Sequence, residues 1–122
     1  MILDSNILIY SVTADYQTFL SPYVNDAENS VSLITKLEVM GFHRLTELDK
    51  KRFERIFSRL TVFPIPEELV EVAITLRQQK SMSLGDAIVA ATALEHKRTL
   101  ITRNLGDFKW IDGLMLVNPF DN

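Results

Sequence analysis

The sequence predicts an α/β protein, a three-layer α/β/α sandwich around a mostly parallel sheet, and three observations carry that expectation. Short runs of aliphatic and β-branched residues alternate along the chain with longer segments of helical period, which is the pattern of a parallel sheet covered by helices. At 122 residues, the chain fits one domain (1–122) that buries roughly two thirds of the surface its unfolded form exposes. It has no cysteine, so burial has to hold it together without disulfides, and thiolate zinc sites and cysteine nucleophiles are excluded.

Taken in order, Met1 to Leu3 is the first strand, followed by a helix through Ile7, Leu8 and Val12. Tyr16, Phe19, Leu20, Tyr23 and Val24 have helical spacing, but Pro22 within them should start a new helix after Ser21 or kink the old one. Ser30 to Leu33 is strand two, and Thr35 to Phe42 a helix ending near Gly41. Phe53, Ile56, Phe57 and Leu60 form the core face of the next helix, with Lys50, Lys51, Arg52, Arg55 and Arg59 on its solvated faces. Thr61 to Ile65 is strand three, closed by Pro64 and Pro66. Glu67 to Gln79 is helical with Leu69, Val70, Ala73, Ile74 and Leu76 inward. Ser83 caps a helix containing Ala87, Ile88, Ala90, Ala91 and Leu94; Thr99 to Thr102 is strand four, and Leu114 to Val117 the last strand, stopped by Pro119. No linker, repeat or low-complexity segment interrupts this series.

Charge excludes little. Thirteen Lys and Arg against 16 Asp and Glu give a net charge of −3, which argues against coating nucleic acid by bulk electrostatics. It leaves room for a nuclease, because acids gathered around a metal push the total negative. The apolar runs fall far short of the ~20 residues of a membrane helix, and no basic leader opens the sequence. A soluble, unexported protein of the reducing cytoplasm is expected.

In an open α/β sheet, ligands collect at the carboxyl ends of the strands. Asp4 directly follows strand one, Asp107 lies just beyond strand four, and Asp86 falls in the first turn of a helix that can start at that edge. Glu38 sits between Leu37 and Val39 in an apolar stretch, where a partly buried carboxylate needs a partner. Each acid also has an ordinary structural role: Asp4 as a helix cap, Asp86 with Ser83 as a Ser-x-x-Asp capping box, Asp107 as a turn residue, Glu38 as a surface glutamate. Their conjunction points further. Converging carboxylates repel unless they are protonated or a cation neutralises them, and Mg²⁺ or Mn²⁺ is the hard, oxygen-loving ion that fits.

The segments Leu3-Asp4-Ser5-Asn6-Ile7-Leu8-Ile9, Leu37-Glu38, Ser83-Leu84-Gly85-Asp86-Ala87-Ile88-Val89-Ala90-Ala91-Thr92-Ala93 and Leu100-Ile101-Thr102-Arg103-Asn104-Leu105-Gly106-Asp107-Phe108 resemble the successive motifs of PIN-domain proteins, specifically the VapC-like toxins. Ile111-Asp112-Gly113-Leu114 and Val117-Asn118-Pro119 match as well, with Ser5 where the family more often has threonine. The resemblance implies a metal-dependent ribonuclease. Asp4, Glu38, Asp86 and Asp107 would be its catalytic and Mg²⁺- or Mn²⁺-binding acids. Ser5, Asn6, Thr102 and Asn104 would be supporting or phosphate-contacting groups. It also implies the toxin of a toxin–antitoxin pair, acting on RNA to inhibit translation, forming homodimers and inhibited by a small antitoxin. The alternative implied by some relatives is a partner-bound, DNA-binding regulatory module with little nuclease activity. Arg103 can touch substrate or face solvent, His43 and His96 read as ordinary surface or helix residues, and Trp110 and the tyrosines read as packing.

Overall fold

In a computed structural model that describes residues 1–121, the strands are short and the helices carry most of the chain. In chain order the elements are β1 (Ile2–Leu3), α1 (Ser5–Ser11), α2 (Gln17–Val24), β2 (Ser30–Ser32), α3 (Leu33–Met40), α4 (Glu47–Arg59), β3 (Thr61–Phe63), α5 (Glu67–Gln79), α6 (Leu84–Glu95), β4 (Leu100–Ile101) and β5 (Leu116–Val117). Among the described residues the strands form one five-stranded sheet in the order β3-β2-β1-β4-β5. Every pairing is parallel.

Alternation along the strands sorts the helices into two layers. Leu3, Val31 and Ile101 point to one face, where Ile7 and Leu8 of α1, Leu20 and Val24 of α2, and Phe53, Ile56 and Phe57 of α4 close over them. Their neighbours Ile2 and Leu100 point to the other face, against Leu76 of α5 and Val89, Ala90 and Ala93 of α6. Helix α3 lies between the layers, with Val39 in the first core and Ile34 against the second. Helix α6 is buried nearly all round, and its run of alanines lets it sit close to both α5 and the sheet.

The expected element order is present, with local corrections. Helix α2 runs through Pro22 without restarting after Ser21, and Asn25 N–H still bonds Ser21 O at 3.0 Å beyond it. Burial of Leu20 and Val24 outweighs the lost backbone donor. Strand two stops at Ser32 because the Ser32 hydroxyl caps α3, which makes Leu33 the first helical residue. Strand three stops at Phe63, before the two prolines, and the last strand is only Leu116–Val117. Val70 and Ile74 face solvent, 38% and 43% exposed, because α5 packs through the stripe Leu69, Val72, Ala73 and Leu76. Those two residues lie on its flank.

Candidate functional site

The strand order reverses between β1 and β4: the chain builds outward from β1 to β3, then returns to the far side of β1 for β4 and β5. A crevice opens at the carboxyl end of such a reversal. Asp4 follows β1 and Thr102 follows β4 at this point.

Asp4 extends the ladder by one residue, its N–H bonded to Ile101 O at 2.9 Å, and then turns to cap α1 with Oδ1 accepting from Ser5 N–H at 2.8 Å. Its Oδ2 accepts from the Thr102 hydroxyl at 2.8 Å and from the Asn6 amide at 3.3 Å. Thr102 Oγ1 in turn accepts from Asn6 Nδ2 at 3.3 Å and from Asn104 N–H at 3.1 Å. Asn6 Oδ1 accepts from Arg103 N–H at 3.4 Å. The two chain segments are thereby tied through one buried carboxylate. Ser5 and Asn104 act here through backbone N–H groups, while Asn6 and Thr102 act through their side chains.

Burial dominates the electrostatics of Asp4, which is 4% exposed. It pushes the carboxyl from 3.8 up to about 6; the Thr102 and Ser5 bonds pull it back in part, and the charges of Asp86 and Asp107 push it up further. Glu38 is also raised, first by desolvation and then by Asp4 and Asp86, although the residue as a whole lies on an exposed flank. Its carboxyl end is the sheltered part: a Cβ on Gly85 would stand 2.8 and 2.9 Å from its two oxygens. Glycine at the start of α6 is what lets Glu38 reach across from α3 to the side of Asp86. Asp86 is raised by burial and by Asp107, opposed by Ser83, whose Oγ caps α6 by accepting from Asp86 N–H at 3.0 Å. Asp107 closes a 3-10 turn over Leu105–Asp107.

The four acids therefore share one electrostatic neighbourhood. Among the described residues no three acid or histidine side chains stand close enough to share one metal ion. The donor set is nonetheless all hard oxygen, and the glycine-backed position of Glu38 is a cradle that any other residue at position 85 would fill.

Several neighbours were not apparent from the sequence. Arg103 lies over the rings of Phe120, Tyr10 and Tyr16, at 4.3, 4.8 and 5.5 Å from their centroids, and those rings pack edge to face with one another. The tyrosines are packing residues, as expected, and so is Trp110 along one side. Lys80 and Trp110 line a cavity with Asp86 and Asp107; an isolated lysine and tryptophan thirty positions apart gave no signal of it. His43 is exposed, and His96 ends α6, stacked on Phe63 at 3.7 Å.

The architecture is a five-stranded parallel α/β sandwich with acidic side chains set around its topological reversal. The PIN domain family matches residues 1–114, and the chain belongs to that family. It is 28% identical over 124 residues to Ribonuclease VapC1 of Rickettsia felis, covering 93% of this chain and 92% of that one. Ribonuclease VapC2 of the same organism is 25% identical over 128 residues, covering 95% of each. Among solved structures, a toxin–antitoxin complex from Klebsiella pneumoniae is 33% identical with a TM-score of 0.77, covering 99% of this chain and 98% of that one. DNA-bound VapBC from Salmonella typhimurium shares the fold with a TM-score of 0.82 at 20% identity, covering 97% and 96%. Among the described residues no helix is long and apolar enough to cross a membrane.

Proposed function

We propose that this chain is a metal-dependent endoribonuclease and the toxin of a toxin–antitoxin pair, hydrolysing RNA phosphodiesters to inhibit translation in the cytoplasm. The observation that carries the reading is the buried Asp4 carboxylate at the crevice between β1 and β4, raised to about 6 chiefly by its burial, with Asp86 and Asp107 adding to the rise. A protein has little structural use for a buried carboxylate set among further acids, so the arrangement favours a cationic ligand.

Asp4, Glu38, Asp86 and Asp107 would hold Mg²⁺ or Mn²⁺. Bound there, a divalent cation supplies activation of water and compensation of charge on a phosphodiester. The chain's own part is orientation. Ser5 N–H fixes one oxygen of Asp4; Thr102 and Asn6 fix the other, leaving the carboxylate a single direction in which to act. Gly85 admits Glu38, and Ser83 pins the first turn of α6 that carries Asp86.

An antitoxin fits the same electrostatics, since an anionic crevice attracts an Arg or Lys side chain from a partner. The names of the Rickettsia ribonucleases and of the Klebsiella complex support the toxin reading. A homodimer, with each copy bearing its own acid set, belongs to the same proposal. The deciding experiment maps RNA ends after induced expression of wild type and Asp4→Asn, with the partner identified by co-purification from the native host. New ends that depend on Asp4 support the nuclease. An unchanged RNA population, with a partner complex that binds DNA, would favour the regulatory module instead.

A further inference from the structure

A cavity of about 200 Å³ opens beside Asp86 and Asp107 and is lined also by Lys80, Ser83, Gly106 and Trp110. Its chemistry differs from that of the acid cluster next to it. Trp110 is half-buried and packs against the core along one side. Its indole N–H is already committed, donating to Asp107 O at 3.0 Å. What the ring offers the cavity is therefore a π face, held rigid from behind and braced to the turn that carries Asp107.

Lys80 stands over that ring, its Nζ 5.6 Å from the centroid. It lines the same cavity as two carboxylates yet pairs with neither; among the described residues the sole ion pair is Arg52 with Asp49. The cation is thus free for an anion from outside. The Gly106 wall is open, because a Cβ there would meet nothing within 4 Å. A rigid aromatic face, an uncommitted cation and adjacent acids match one repeating unit of a single-stranded nucleic acid, a base to stack and a phosphate to meet. The volume lies below the roughly 300–1,000 Å³ of a pocket for a drug-sized ligand, so it has room for one ring system and not for a longer segment.

We infer that this cavity is a nucleotide subsite for RNA: the base next to the cleaved phosphodiester stacks on Trp110, displacing Lys80 from the ring toward the phosphate of that nucleotide. The inference rests on the ribonuclease reading and deepens it by naming what the site grips beside the bond it cuts.

The test is a double-mutant cycle with the full chain in Mn²⁺, using a single-stranded RNA oligonucleotide and versions made abasic, one at a time, at each residue flanking the cut. Trp110→Ala is expected to slow cleavage of intact RNA roughly ten-fold to a hundred-fold, the range a lost base stack gives. At one abasic position the wild type should be slowed by a similar factor and Trp110→Ala should add little to it. Trp110→Phe, which keeps a ring but loses the N–H bond to Asp107, should recover most of the rate on intact RNA. If Trp110→Ala slows every substrate by the same factor, the residue only braces Asp107 and the subsite is overturned; no slowing on intact RNA overturns it equally. Should Trp110→Ala fail to fold, Trp110→Leu, which keeps apolar bulk against the core but has no π face, takes its place in the same cycle with the same expected coupling and the same overturning result. A wild type that leaves RNA uncut in Mn²⁺ removes the ribonuclease reading itself and the subsite with it.

Discussion

The Thr102 hydroxyl donates to Oδ2 of Asp4 at 2.8 Å, joining residues 98 positions apart in a buried hydrogen bond. The acceptor is a carboxylate, so the bond is charge-assisted whenever Asp4 is ionised. Thr102→Val keeps the shape and deletes the donor. We expect it to lower stability by about 1–3 kcal/mol at pH 7.5, with a smaller loss below pH 4, where the carboxyl is protonated. Thr102→Ser should restore most of it. Denaturant melts of the three proteins at both pH values check this; a Val variant as stable as wild type at pH 7.5 would make the bond irrelevant to the fold.

Asp4 gives a stability profile with a definite sign. Its carboxyl titrates near 3.8 when unfolded and at about 6 when folded, so between those values the native state holds a proton that the unfolded state has lost. Stability therefore falls as pH rises from about 4 to 6. Asp4→Asn escapes this loss, which integrates to about 3 kcal/mol. In EDTA the variant should match the wild type near pH 4 and exceed it above pH 6, while RNA cleavage in Mg²⁺ drops at least about a hundredfold. A variant that melts lower at every pH and still cuts RNA would reduce Asp4 to a helix cap.

Gly85→Ala separates fold from function in the opposite sense to an ordinary core change. Alanine favours the helix by up to about 1 kcal/mol, and the atoms its Cβ meets are the far end of the flexible Glu38 side chain. We expect thermal stability equal to or above wild type and cleavage reduced about tenfold or more, because Glu38 is driven away from Asp86. Combining it with Glu38→Gln should add little further loss of activity. Full additivity of the two changes would show that Gly85 acts through something other than Glu38.

Metal should be visible without turnover. A cation that binds only the folded state stabilises by about 2.7 kcal/mol at a hundred times its dissociation constant. We expect Mn²⁺ and Mg²⁺ to raise the melting temperature of the wild type, EDTA to reverse the rise and abolish cleavage, and Asp4→Asn or Asp86→Asn to respond weakly. Cleavage that continues undiminished in EDTA would end the metal mechanism.

Much of this arrangement is legible in the sequence because it depends on local order. Asp4 and Asp107 announce themselves by following strands, and Ser83 by preceding a helical run three residues ahead of Asp86. Element type was legible for the same reason; Phe53, Ile56 and Phe57 do form the buried face of α4. What stayed hidden depends on how distant elements meet. Val70 and Ile74 have the hydrophobicity of core residues, and only the choice of Leu69, Val72, Ala73 and Leu76 as the packing stripe of α5 leaves them outside. Gly85 reads as a neutral helix residue until Glu38 of another helix is set against it. The rings that hold Arg103 come from positions 10, 16 and 120 and have no common pattern along the chain.

The strand order has a consequence during synthesis. β1 lies in the middle of the sheet and finds β4, its partner across the topological reversal, only near position 100. While the chain has been made only as far as about position 81, Asp4 and Glu38 exist without Thr102 or Asp107, and the hydrogen bonds that aim Asp4 have no second half. Parallel pairings of such long sequence separation are also slow to form. A nuclease of the proposed kind would thus be inert until position 107 has been made, because until then its acid set is incomplete and Asp4 is unaimed.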